Sequence, residues 1–278
     1  MASDLHTHTN YSDGFFSPEV LAAKAKQLGF KYLAITDHDT VDGVKHLKSI
    51  GGMDFVQGIK IIPGVEISAE HPHPGKGYDL HIVGLNLDIT NKKLLDKLEG
   101  LSDHRQDRLR KMIALLNEQG YKITLKDVFD TVGEKKIVVR KHLALTLAKK
   151  GYFPTSHDAY QTLLKHGKPA YVPLKHLSVD ESIDLIHSAG GIAVLAHPKL
   201  VKDDEVVDEI AKKFDAIEVY YPQHSYMDVQ RYLAIADKYN LKISGGSDFH
   251  GTPEDRKHPK TLGAYTIPDG VAENLFAK

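Results

Sequence analysis

The sequence predicts an α/β chain whose alternating strands and helices form a parallel sheet closed into a barrel, interrupted by a helical insertion. Three observations carry this expectation. Short β-branched runs alternate with helical stretches up to about residue 87 and again from about residue 179, and such alternation implies a parallel sheet with helices packed outside it. Between Asn91 and Lys168 the rhythm breaks and only helical stretches appear. With 278 residues, 41% of them hydrophobic, the chain is long enough for one large core carrying a smaller unit.

The elements follow in order. The opening "SDLHTHTNYSDG" places His6 and His8 two residues apart, a spacing that puts both imidazoles on one face of a short strand. In "SPEVLAAKAKQLGF", Ser17 can cap a helix, Pro18 suits its first turn, Glu19 favours its positive end and Gly29 stops it. The runs "KYLAIT", "IKIIPGVEIS" and "YDLHIVGLNL" read as strands. His71 and His73, in the Pro/Gly-rich "EHPHPGKG", read as loop residues. The helical middle comprises "NKKLLDKLEGLSDHRQDRLRKMIALLNEQG", "LKDVFDTV", "VRKHLALTLAKKG" and "SHDAYQTLLKHG". The alternation then resumes with the helix "VDESIDLIHSAG", the strand "IAVLAH", a helix around Val206–Lys213, the strand "AIEVY", the helix "MDVQRYLAIADKYN" and the strand "KISGGSD". This divides the chain into a barrel, 1–89 with 173–278, and a helical insertion, 90–172, that caps it.

Composition narrows the chemistry. The chain has no cysteine, which excludes disulfides and thiolate–metal sites and leaves nitrogen and oxygen to hold any metal. Its 17 histidines become the feature to explain. No apolar run approaches the roughly 20 residues of a membrane span, and no secretory leader is visible, so a cytoplasmic location without membrane partners is expected. The net charge of −1 hides an asymmetry: residues 90–172 carry 17 Lys and Arg against nine Asp and Glu, net +8, leaving −9 elsewhere. An acidic body suits collection of cations, and a basic segment suits reception of an anionic substrate.

In parallel barrels the chemistry lies at the carboxyl ends of the strands, and the polar outliers of this sequence fall there. His6 and His8 end the first strand, with Asp13 five residues on. His38 follows "LAIT", Glu66 sits in "PGVEIS" and His81 in "YDLHIVG". His197 closes "IAVLAH", and Asp248 and His250 close "ISGGSDFH". Taken singly, each has an ordinary reading: a strand-end histidine is usually just hydrogen-bonded, and Ser-Asp-Gly is strong turn chemistry. Jointly they do not, because burying several ionisable groups together costs several kcal/mol for each ion unless a shared cation satisfies them. Imidazole and carboxylate without sulfur suit Zn, Mn or Fe. A carboxylate such as Glu66 can bridge two ions, so the pattern predicts a multinuclear centre.

The set "HTHTNYSDG", "TDHDT", "PGVEIS", "HIVG", "AHP" and "GSDFHG" resembles the polymerase and histidinol phosphatase (PHP) family, above all its phosphoesterases with a helical insertion. The resemblance runs in order along nearly the whole chain. It implies a distorted seven-stranded (β/α) barrel holding two or three divalent ions. His6, His8, Glu66 and Asp248 would bind one; Glu66 with His81 would reach a second; Asp13, His38 and His250 would bind a third; His197 would complete the second ion's shell or lie between sites. The family's Gly-Arg-Pro-His segment corresponds here to Val139-Arg140-Lys141-His142, so Arg140 and His142 would receive the substrate phosphate at a helix start, without the fixed backbone angle of the missing proline. His224 in "YYPQHSY" would touch the phosphate or act as an acid.

The implied activity is hydrolysis of a phosphate monoester by a metal-activated water attacking phosphorus, with Arg140 and His142 meeting the developing charge. The implied substrate is a small phosphorylated molecule such as AMP, a 3′,5′-bisphosphonucleotide or a short oligonucleotide. No G-x-S-x-G elbow suggests a side-chain nucleophile, and no obligate protein partner is evident. The alternatives are a 5′–3′ exonuclease on short RNA or DNA, a histidinol-phosphate-type phosphatase, a non-catalytic metal-binding module, and an amidohydrolase. Stacked bases would favour the exonuclease, but Tyr121, Phe129, Tyr152, Phe153 and Tyr160 form no ordered pattern.

Overall fold

The computed structural model describes residues 2–52, 58–74, 76–133, 137–252 and 258–277. Its strands are β1 (Ala2–Asp4), β2 (Phe30–Ile35), β3 (Lys60–His73), β4 (Lys76–Leu85), β5 (Leu177–Ser178), β6 (Ile192–Leu195), β7 (Ala216–Tyr220), β8 (Lys242–Gly245) and β9 (Ile267–Pro268). They join in the order β8-β7-β6-β4-β3-β2-β1-β9, with β5 pairing β3 off this path. The chain beyond β1 then meets the chain beyond β8: Leu5 N–H donates to the Gly245 carbonyl (3.3 Å), His8 N–H to the Phe249 carbonyl (2.9 Å), and Thr7 bridges Phe249 in parallel. The sheet is therefore a nearly closed barrel. Gly246 permits this closure, since a Cβ there would lie 2.3 Å from the Cβ of His6.

The sheet is not wholly parallel, which corrects the sequence reading. β4 runs antiparallel to β3 and to β6, because β3 and β4 are joined by a tight reversal near Pro74 and not by a crossover helix. His71 and His73 are consequently strand residues of a 14-residue β3, paired with Tyr78 and Lys76. The strand β9 and the helix Asp269–Phe276 also follow β8, beyond the last strand expected from sequence.

The described residues form ten helices: α1 (Pro18–Gln27), α2 (Asp42–Ser49), α3 (Lys92–Glu118), α4 (Leu125–Val132), α5 (Arg140–Lys149), α6 (Ser156–Ala159), α7 (Val179–Ser188), α8 (Asp204–Ala211), α9 (Tyr226–Tyr239) and α10 (Asp269–Phe276). Pro18 opens α1, but the Ser17 side chain makes no cap bond there. Capping boxes do open α7, through Ser178 and Glu181, and α9, through Ser225 and Asp228. None of these helices is long and apolar enough to cross a membrane.

Between β4 and β5 lie α3 to α6, with a π-helical turn at Tyr160–Leu164. They enclose a core of their own that includes Leu109, Met112, Leu116, Val128, Leu143, Leu147 and Leu164. Leu94, Leu98 and Leu101, earlier on α3, belong instead to the barrel's core. The one helix thus serves both cores, its apolar stripe moving from barrel to insertion near Arg105.

Candidate metal centre

Seven of the expected ligands follow strand ends at the barrel mouth, and Glu66 and His81 reach it from within the long paired strands β3 and β4. The extension of β1 presents His6 and His8, with ring centroids 5.4 Å apart. The turn after them is tight: a Cβ on Gly14 would lie 2.3 Å from the His8 carbonyl oxygen, and this brings Asp13 back beneath the rings. His38 follows β2 and bridges Glu66. Glu66 and His81 come from the paired strands β3 and β4, and His197, Asp248 and His250 follow β6 and β8. Glu66, His6, His8, Asp13, His197, Asp248 and His250 are all buried.

The distances bring all nine residues together. Glu66 Oε2 lies 3.3 Å from His6 Nε2, 3.1 Å from His8 Nε2 and 3.0 Å from His38 Nδ1. Its other oxygen, Oε1, meets His81 Nδ1 at 2.7 Å and His197 Nε2 at 3.0 Å. Asp248 Oδ1 is 3.1 Å from His8 Nε2, and Asp13 Oδ1 is 3.1 Å from His250 Nε2 and 3.7 Å from His38 Nε2. Three sets drawn from these nine residues each bring their ligand atoms within 4.8 Å: His6, His8, Glu66 and Asp248; His8, Asp13, His38 and His250; and His38, Glu66 and His81. His197 stands outside these sets and reaches them through Glu66.

These residues fit a metal. His6 Nε2, His8 Nε2, His38 Nδ1, His250 Nε2, Glu66 Oε2 and Asp13 Oδ1 are buried and have no hydrogen-bond partner, although they crowd to about 3 Å. Donors around one ion at about 2.1 Å lie roughly 3.0–3.4 Å from one another, which is the crowding seen. The electrostatics agree. Burial disfavours charge on His6 and His8, but the carboxylates of Glu66 and Asp248 prevail and raise both imidazoles, His8 to about 10. The pocket therefore demands positive charge. Burial lowers His38 to about 3 and lowers His250 as well, so both rings are neutral and can donate lone pairs.

A second layer that the sequence reading missed orients these rings. His6 Nδ1–H donates to Glu218 (3.1 Å), and Glu218 also accepts from the His197 backbone N–H (2.6 Å). Asp37 accepts from Thr9 N–H, Thr9 Oγ1 and Ser12 Oγ, and Asp4 accepts from Ser247. Glu218 thereby turns His6 Nε2 toward the cluster, while Asp37 and Asp4 brace the backbone and hydroxyls around it. An acid at an inward position of the apolar run "AIEVY" was the available signal for Glu218. Three residues here hold left-handed backbone without being glycine: Asp39 (φ 50°), His197 (φ 27°) and Asp248 (φ 53°), a strain of order 1–3 kcal/mol each that clusters at functional sites.

The insertion reaches the mouth along α3 and α5. Arg105 pairs with Asp39 through two nitrogens, its Nε at 2.8 Å, and also donates to Ser68 Oγ at 3.0 Å. Lys141 Nζ lies 3.4 Å from Asp13 Oδ2. The Arg140 guanidinium lies 5.5 Å from the rings of both Tyr160 and Tyr171, and the buried Arg108 donates to the Val172 carbonyl (2.7 Å). Burial, together with the charges of Arg140 and Arg105, lowers Arg108 to about 10. Neither Arg108 nor Arg140 pairs with a carboxylate among the described residues. His142 is buried, and its Nδ1 accepts from the Val139 N–H (3.3 Å) at the start of α5. His224 donates Nδ1–H to the Val219 carbonyl (2.8 Å), leaving a buried Nε2 without a partner. Burial lowers its pKa, so this ring is an acceptor at neutral pH.

A barrel whose mouth gathers His, Asp and Glu into one cluster able to hold metal ions is the architecture of a metal-dependent hydrolase. The chain belongs to the PHP family, with residues 4–232 matching the PHP domain, and is a hydrolase of phosphoester bonds. It is 34% identical over 258 residues to the 5′-3′ exoribonuclease Rnm of Escherichia coli K12, covering 89% of this chain and 84% of that one. It is 30% identical over 257 residues to the 3′,5′-nucleoside bisphosphate phosphatase of Chromobacterium violaceum, covering 90% and 88%. The structure superposes on that of a Bifidobacterium adolescentis protein assigned as a metal-dependent phosphoesterase with a TM-score of 0.82 at 29% identity, over 98% of this chain and 94% of that one.

Proposed function

We propose that this chain hydrolyses the phosphate monoester of a nucleotide, such as AMP or a 3′,5′-bisphosphonucleotide, at a centre of two or three Mn, Fe or Zn ions held by His6, His8, Asp13, His38, Glu66, His81, His197, Asp248 and His250. The observation that carries this is the gathering of nine His, Asp and Glu donors, seven of them buried, in a chain that also carries on α3 and α5 two guanidiniums paired with no carboxylate among the described residues. Bound divalent ions supply an acidified water and neutralise phosphate oxygens. The chain's own residues do the rest. Glu66 presents one oxygen to His6, His8 and His38 and the other to His81 and His197, so it joins the subsites. Arg140 and Arg108 receive phosphate oxygens through planar forks, and His142 holds the start of α5 that carries Arg140. His224 Nε2, beside Tyr221 on the β7 side of the mouth, is the remaining acceptor of a proton or hydrogen bond.

A second reading, a 5′–3′ exonuclease on short RNA, has its own support in the similarity to the Escherichia coli exoribonuclease and in the +8 charge of residues 90–172. Hydrolysis by the manganese-loaded protein, read as free phosphate from the monoesters and as released mononucleotide or phenol from the diesters, separates the two. The panel comprises AMP, adenosine 3′,5′-bisphosphate, histidinol phosphate, a 5′-phosphorylated RNA dinucleotide and a bis(aryl) phosphodiester, each beside His6→Ala. Release from the mononucleotides that falls at least about 100-fold in the variant is the expected result. Cleavage confined to the dinucleotide and the diester moves the assignment to the nuclease, and turnover of none of them overturns both.

A further inference from the structure

Asp248 turns its two carboxylate oxygens toward different neighbours. Oδ1 faces the cluster, 3.1 Å from His8 Nε2 and 3.7 Å from His6 Nε2. Oδ2 faces away from it and meets His258 Nε2 at 3.0 Å and the Tyr221 hydroxyl at 3.2 Å. His258 lies ten residues beyond Asp248 on no strand or helix, yet its side chain is only 9% exposed and its ring stacks on His250, with centroids 4.5 Å apart and planes 19° apart.

We propose that His258 is a positioning residue of the metal centre, whose Nε2–H on Oδ2 makes Asp248 a one-oxygen ligand aimed through Oδ1. The proposal rests on the metal-centre reading given above. Asp248, His250 and His258 would also bring three ligand atoms within 4.8 Å, but the bonds already made argue against an ion there. His250 commits Nδ1 to the Asp248 carbonyl (2.8 Å) and aims Nε2 at Asp13 (3.1 Å), so it has no nitrogen to spare. Oδ2 already carries Tyr221 and His258. What His258 contributes is a donor, and a carboxylate held by donors on one oxygen offers the lone pairs of the other. The stack on His250 couples the same ring to the Asp13 subsite.

The test is manganese titration of the full chain by calorimetry, with metal content per chain and the Mn(II) electron paramagnetic resonance signal, for wild type, His258→Ala and His258→Gln. The expected result is an unchanged number of ions at saturation, a Kd raised about 10–100-fold in His258→Ala, and recovery of most of that loss in His258→Gln, whose amide can donate to the same oxygen. If His258→Ala does not fold by circular dichroism, His258→Asn, polar but too short to reach Oδ2, takes its place. An unchanged Kd overturns the proposal. Loss of one whole ion without rescue by glutamine also overturns it and makes His258 a ligand. Absence of manganese binding by the wild type would instead sink the metal-centre reading itself, and this proposal with it.

Discussion

At the barrel mouth every carboxylate of the cluster faces an imidazole, and Asp39 beside it faces Arg105. One helical turn further along α3, Arg108 and its neighbour Arg140 face tyrosine rings and a backbone carbonyl, and neither pairs with a carboxylate among the described residues. The two regions differ in what completes them. Charge at the Arg105 pair is balanced within the fold, whereas the Arg108 pair is the one proposed above to receive the anionic substrate. A buried pair that is already balanced contributes to stability when intact, and a buried cation that is not balanced lowers stability in exchange for binding.

Arg105→Ala should produce the largest change, because it leaves Asp39 buried without its partner. A loss of about 3–5 kcal/mol is expected, read as a shift of the urea midpoint. A midpoint unchanged from wild type would erase the contrast between the two arginines. Arg108→Gln should act in the opposite sense. Stability without substrate stays level or rises slightly, while KM for a phosphorylated substrate rises about 10–100-fold, the worth of one charge-assisted hydrogen bond. A drop in stability comparable to that of Arg105→Ala would show that Arg108 is a structural residue.

The smallest effect lies in the acid limb. Burial by itself would raise the Asp39 carboxyl, but the Arg105 guanidinium outweighs burial and holds it below the ordinary value. A depressed carboxyl contributes stability that is present above its unfolded pKa, about 3.9, and is lost as pH falls through the folded value. The stability gap between wild type and Arg105→Ala should therefore be widest above about pH 4 and narrow below it. Urea midpoints measured from neutral to strongly acid pH follow this directly, and a gap independent of pH would assign the lost stability to packing of the arginine stem.

Much of the barrel was legible because strand-end residues keep a short spacing. The pair His6 and His8 needs only the twofold alternation of a strand, and "GSDFH" ends a recognisable β-run. The antiparallel β4 was not legible, since its apolar alternation looks the same in either direction and only the Pro74 reversal sets it. Glu218 was missed because one acid in an apolar run has no spacing signature. His258 was missed because nothing repetitive links it to Asp248. Arg105 and Arg108 sit among the charges of a long amphipathic helix, where solvated and functional cations alternate every turn and only the packing of α3 tells them apart.

That helix has a mechanical consequence. Its 27 residues span roughly 40 Å at 1.5 Å per residue, clamped at one end among barrel side chains and free at the other to carry α4, α5 and α6. It is a cantilever, and Arg105 is bolted at its fulcrum to the residue next to His38. Loops and helices can be exchanged at the outer end without loosening that bolt, so the fold can revise what it admits while leaving intact the apparatus that acts on it.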